Sequence, residues 1–165
     1  MLDNHRTKRN NPRMKTLTCS VEVNAPAARV WDLITDIEHA HEFIPGIKAI
    51  EILGDKKSGL GLRWRETRVM FGKEATETLE ITEWRPPREY AVTAANHGCV
   101  YRSIIRVVPQ SRGCRVEFEF GATPVTILAR IMGTLMAPLM TGSIRKMLVG
   151  DLEAIKQHAE ETAQG

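Results

Sequence analysis

The sequence predicts an α+β fold: one antiparallel sheet of seven strands, two short helices after the first strand, and a C-terminal helix long enough to lie along the sheet. Three observations carry this. Three consecutive hairpins between Gly61 and Phe120 sort their side chains consistently onto two faces. The apolar period changes from two to helical after Pro124. A short helical stripe opens at Ala25-Pro26, where proline's missing N–H costs nothing.

Leu17 to Asn24 alternates as the first strand, and Val30, Trp31, Ile34 and Ile37 give the next helix one apolar side. Asp36 restarts a second short helix through Phe43, which Pro45-Gly46 stops. Ile47 to Leu53 is the second strand, and Gly54 to Gly59 a turn. With Phe71-Gly72 as a two-residue turn, Arg63 faces Glu80, Thr67 faces Thr76 and Val69 faces Glu74 on the wet side. The other side pairs Leu62 with Ile81, Trp64 with Leu79 and Glu66 with Glu77. Around His97-Gly98, Tyr101, Ser103 and Ile105 face Ala94, Val92 and Tyr90. Around the turn from Gln110 to Gly113, Ile105 and Val107 face Phe118 and Val116. A slip of one residue would turn every apolar partner outward, so the registers are strongly specified. Pro86-Pro87 marks the turn between the fourth and fifth strands.

The last segment reads as a helix with Leu128, Ile131, Met132, Leu135 and Met136 on one apolar side. Ile144, Met147, Leu148, Leu152 and Ile155 continue it, and a break or kink is expected around Gly133, Pro138 and Gly142. From Pro138 to Glu160 it would span about 35 Å, close to the roughly 33 Å of a ten-residue strand.

A chain of 165 residues, 42% hydrophobic and 26% charged, is expected to be one globular domain. The net charge of +3 is unevenly placed. Residues 1–15 carry Arg6, Lys8, Arg9, Arg13 and Lys15 against Asp3 alone, a net of +4, which leaves −1 for residues 16–165. A nucleic-acid partner is therefore not expected, because the positive charge is not on a patterned face. Residues 1–15 read as a disordered basic arm and 16–162 as the folded domain. Met14 stands at the start of the first patterned segment, so the first thirteen residues read as an extended start. No apolar run follows the basic stretch, so no secretory signal is expected. Cys19, Cys99 and Cys114 are odd in number, which fits reduced thiols and a cytoplasmic location.

Several short motifs stand out along the chain: Val23-Asn24-Ala25-Pro26, Val30-Trp31, Asp36 and Phe43-Ile44-Pro45-Gly46-Ile47. Trp84-Arg85-Pro86-Pro87-Arg88, Asp151-Leu152 and Lys156 complete them, over roughly residues 16 to 160. In these motifs, and in the helix-grip order of its elements, the chain resembles the START-like (SRPBCC) superfamily in its polyketide cyclase/dehydrase-type branch. The resemblance implies a curved sheet gripping the last helix, with a cavity between them for hydrophobic or amphipathic molecules. Members include lipid carriers, hormone binders and aromatic cyclases, and fold alone does not choose among them.

Carrying the registers straight across the sheet places Glu66, Glu77, Ala94 and Tyr101 in one inward row, with Arg68, Ala75, Asn96 and Cys99 beside it. Glu66, Glu77 and Arg68 are the candidate catalytic residues. Facing carboxylates repel and burial disfavours charge, so at least one should hold its proton, with Arg68 offsetting this in part. Two readings stay open: a general acid/base pair acting on a ligand carbonyl or hydroxyl, or a satisfied Glu–Arg–Glu cluster that caps the cavity. Apolar ligand contacts are expected from Trp64, Leu79, Val92, Phe118 and Phe120, with Tyr101 and Ser103 nearer the polar end. Met132, Met136 and Met140 are expected to close the cavity from the helix.

The Met-rich stretch from Val125 to Met140 is too interrupted to span a bilayer. It reads as core, or as a lid that touches a membrane transiently during lipid exchange. His39 and His41 beside Glu38 and Glu42 read as solvated surface, since residues two apart share no helical face. His97-Gly98-Cys99 has the letters of a thiol–base pair without an orienting third group, and Gly59-Leu60-Gly61 lacks the context of a phosphate loop. No metal or organic cofactor is implied. The expected function is binding or transport of a small lipid- or polyketide-like molecule. The alternative is a cyclase or dehydratase at the same polar residues.

Overall fold

The computed structural model describes residues 16–70 and 72–162, those from 132 to 140 by their backbone alone. The basic arm and Phe71 lie outside the described residues. β1 (Thr16–Val23) leads into α1 (Ala27–Thr35) and a 3-10 helix (Ile37–Glu42). β2 (Ile47–Leu53), β3 (Arg63–Met70), β4 (Lys73–Arg85), β5 (Glu89–Asn96), β6 (Cys99–Pro109) and β7 (Cys114–Pro124) follow, and α2 (Ile127–Glu161) closes the chain. The strands form one curved antiparallel sheet in the order β1-β7-β6-β5-β4-β3-β2. The two short helices thus carry the chain from one edge of the sheet to the other.

Each tight turn fixes its hairpin. His97 and Gly98 both take positive φ, 48° and 73°, the primed-turn geometry that matches strand twist. Gly98 also lies under the start of α2, where an added Cβ would come within 2.5 Å of the Thr126 hydroxyl. That hydroxyl caps α2 by accepting from the Ala129 N–H at 3.1 Å. The β3–β4, β5–β6 and β6–β7 registers are those the side-chain pattern predicts, from Trp64 opposite Leu79 to Ile105 opposite Phe118. Leu62 and Ile81 extend the first hairpin, with the Ile81 N–H donating to the Leu62 carbonyl at 2.9 Å.

The β4–β5 register differs from expectation by two residues. Leu79, not Glu77, lies opposite Ala94, and β4 also carries a bulge between Ile81 and Glu83. Thr82 and Glu83 both serve the outer face there, Thr82 meeting Thr93 and Glu83 meeting Arg102. Up to Ile81 the shift of two keeps each side chain on its predicted face but slides the rows. Trp64, Leu79, Ala94 and Tyr101 now lie across the sheet together. Glu66 and Glu77 align instead with Asn96, whose amide donates to Glu77 Oε1 at 3.2 Å.

The core fills the concave side. Val30, Trp31, Ile34 and Ile37 from the short helices meet Leu62, Trp64, Ile81, Tyr90 and Val92 from the sheet and Leu148, Leu152 and Ile155 from α2. Fully buried side chains such as Leu62, Leu148 and Leu152 each contribute roughly 1.5–3 kcal/mol. Trp31, Trp84 and Tyr90 form an aromatic cluster with centroids 5.2–6.1 Å apart.

α2 is one element, so the break expected around Pro138 does not divide it. Its 35 residues span about 52 Å, against about 37 Å for an eleven-residue strand. The sheet therefore cannot cover the whole helix. Leu148, Leu152, Ile155 and Ala159 are buried, whereas Ile127, Leu128 and Ile131 at the other end are exposed.

Candidate ligand cavity

The pleat of β3 to β7 and the inner stripe of α2 enclose a cavity of about 250 Å³. Trp64, Leu79, Val92, Phe118 and Phe120 line its apolar part, and Tyr101 and Ser103 add hydroxyls. Glu66, Glu77 and Arg68 all face it. The structure thus brings together ten of the residues singled out above. Met132, Met136 and Met140 belong to the stretch whose side chains lie outside the described residues.

The polar end is built around Arg68. Its Nη2 donates to Asp151 Oδ2 on α2 at 2.9 Å, and its Nη1 lies 3.3 Å from the Met147 sulfur. Its Nε sits 3.1 Å from Glu66 Oε1, yet among the described residues this buried N–H has no aligned acceptor, so the contact is ionic rather than a hydrogen bond. Glu66 Oε2 in turn accepts from the Trp64 indole at 3.3 Å. The three charged side chains are 13–15% exposed, so their pairing is screened little by solvent. Burial pushes the Glu66 carboxyl above its ordinary value, and Asp151 and Glu77 nearby add to this. Arg68 and the Trp64 N–H pull the other way. Asp151 is also raised by burial, against the opposing pull of Arg68.

Sequence reasoning left out the apolar contributions of the short helices and β2, among them Ile34, Phe43 and Ile50, and one charged residue, Asp151. Its signal is an acid on the helical stripe that runs from Ile144 through Met147 and Leu148 to Leu152 and Ile155. An unmatched acid on a buried face requires a cation opposite, and Arg68 is that cation.

Two phenols behave differently. Tyr90 donates to the Ile34 carbonyl at 2.8 Å, and full burial drives its pKa far above the usual phenol range. It is a structural tie between sheet and α1. Tyr101 stacks on Phe120 with centroids 6.0 Å apart. Its pKa is raised by burial, with the Cys99 thiol and Glu77 adding to this. The remaining motifs stay on the surface: His39 turns to the Asp36 carboxylate at 2.8 Å, and His41 to the Glu38 carbonyl at 3.0 Å. Among the described residues no group of three His, Cys, Asp or Glu side chains is placed to hold a metal ion. No helix there is long and apolar enough to cross a membrane.

Solved structures share this arrangement. Zhui aromatase/cyclase from Streptomyces sp. R1128 superimposes with a TM-score of 0.74 at 19% identity, covering 89% of this chain and 94% of that one. A START superfamily protein from Mycobacterium smegmatis gives 0.70 at 15% identity, with 89% and 98% covered. The di-domain ARO/CYC StfQ from the steffimycin biosynthetic pathway gives 0.76 at 14% identity, with 91% of this chain on 52% of that one. At such identities the likeness establishes the helix-grip fold. No curated protein sequence matches the chain. The model of one sequence family does match, over residues 14–160, and on that match the chain belongs to the family described as polyketide cyclase / dehydrase and lipid transport.

Proposed function

We propose that the protein binds or transports a small amphipathic molecule, lipid- or polyketide-like, between the sheet and α2. The observation that supports this is the cavity itself: hydrocarbon and aromatic walls at one end, and a buried Glu66–Arg68–Asp151 cluster at the other. Trp64, Leu79, Val92, Phe118 and Phe120 hold the body of the ligand. Glu66, Glu77 and Arg68 orient its polar group, helped by Tyr101 and Ser103. The three free cysteines support a reducing, cytoplasmic setting. The exposed Ile127, Leu128 and Ile131 support a transient membrane contact during exchange.

The test uses the neutral fluorescent probe N-phenyl-1-naphthylamine. Wild-type protein should brighten it, and Ala94→Phe, which fills the cavity from the sheet, should abolish the signal while leaving circular dichroism unchanged. Native mass spectrometry of protein purified from its host should reveal a retained small molecule. A dark probe and an empty spectrum together would refute the binding reading.

A second reading is favoured by one observation: two carboxyls in the same cavity, both raised by burial, flank a single guanidinium. A protonated Glu66 gives its proton to a departing hydroxyl, which leaves as water, while Glu77 takes the proton from the adjacent carbon. That reaction is the dehydration step of a cyclase or dehydratase, with Arg68 steadying the developing oxyanion. It requires turnover of a poly-β-keto substrate that follows a carboxyl titration and disappears in Glu66→Gln.

A further inference from the structure

The acid–base balance of the cavity lining restricts the head group it accepts. Three carboxyls face the cavity, Glu66, Glu77 and Asp151, against one guanidinium, Arg68. The stretch from Met132 to Met140 adds no ionisable side chain. Arg68 is already held by protein atoms: Nη2 donates to Asp151, Nη1 lies against the Met147 sulfur, and Nε is in ionic contact with Glu66 without an aligned hydrogen bond. A ligand carboxylate or phosphate would have to displace a carboxylate from Arg68 and then lie among like charges. Even with one carboxyl protonated, the lining keeps a net negative charge.

Glu77 is placed differently from the other two acids. It accepts from the neutral amide of Asn96, at 3.2 Å, and among the described residues no ion pair balances it. Tyr101 lies close enough to feel its charge, and its ring belongs to the aromatic lining of the same cavity. A carboxylate next to aromatic faces is the environment that a desolvated ammonium group requires.

We infer that the cavity selects amphipathic amines, seating the protonated nitrogen on Glu77 on the side of Tyr101, and discriminates against anionic amphipaths. This rests on the binding reading and narrows it to one ligand class. A neutral alcohol ranks between the two, since it can donate to a carboxylate without cancelling its charge.

The experiment displaces N-phenyl-1-naphthylamine at neutral pH with octylamine, octanol and octanoate, which share one tail and differ in head-group charge. Octylamine should displace the probe at a concentration about tenfold or more below octanoate, with octanol between them. Glu77→Gln should narrow the gap between amine and carboxylate. Asp151→Asn, which frees one side of the guanidinium, should bring octanoate up toward octanol. Octanoate displacing the probe as readily as octylamine would overturn the inference and leave the cavity reading standing, as would an unchanged gap in both variants. A probe that never binds wild-type protein removes both.

Discussion

The two faces of the sheet pair the same residue types to opposite effect. Outside, Arg102 reaches Glu83 at 2.7 Å and Arg106 bridges Glu89 and Glu119 at 2.8 and 3.0 Å, all partly open to water. Inside, Arg68 holds Glu66 and Asp151 at similar distances with little solvent contact. Distance does not separate these clusters; desolvation does. The outer hydrogen bond and charge of Arg102 lower the pKa of Glu83, whereas burial raises that of Glu66 despite Arg68 beside it. Ladder pairs of the outer kind add little to stability and keep the convex face soluble. The inner cluster is a site where charge is held at a cost, which is the usual condition of functional carboxyls.

The comparison breaks most visibly at Arg68. Arg68→Leu leaves two buried carboxyls without a cation and should cost about 3–5 kcal/mol at neutral pH, read from urea denaturation. The loss should shrink as pH falls, since burial raises both carboxyls and they take up protons on the way to acid pH. Next in size is the pH slope. A carboxyl raised by folding contributes stability that is whole below the ordinary carboxylate range and is lost as pH rises through its folded value. Glu66→Gln should therefore flatten the decline in urea midpoint between acid pH and neutrality. Glu83 carries the opposite sign, contributing above the ordinary range and losing its effect as pH falls. The smallest effect is on the outer face: Arg102→Ala should shift stability by at most about 1 kcal/mol, and less in high salt. An Arg102 variant as damaging as Arg68→Leu would show that desolvation is not what distinguishes the faces.

How much of this the sequence reveals depends on what sets each contact. Hairpin registers are local: His97-Gly98 and the turn ending at Gly113 fix which residues face each other, and alternation confirms it. The Glu66–Glu77 pair and its inward direction are therefore legible. The β4–β5 offset is not, because its one trace, the change of the apolar positions from Leu79 and Ile81 to Trp84, marks a bulge without fixing the pairing. Asp151 fails for another reason. The rotation of α2 over the sheet decides which strand residue it meets, and that is set by packing some eighty positions away in sequence. The exposed start of α2 follows from a length mismatch that an apolar stripe by itself conceals.

The bulge at Thr82 has a consequence for anyone moving residue roles between relatives of this fold. It divides β4 into two stretches with separate phase, so counting along the strand from Glu77 names the wrong neighbour once Thr82 is passed. Deleting that single position would restore an unbroken alternation while leaving Trp84 opposite Tyr90 and Glu77 where it stands. Spatial superposition, rather than residue spacing, is the frame in which the pockets of such proteins are to be matched.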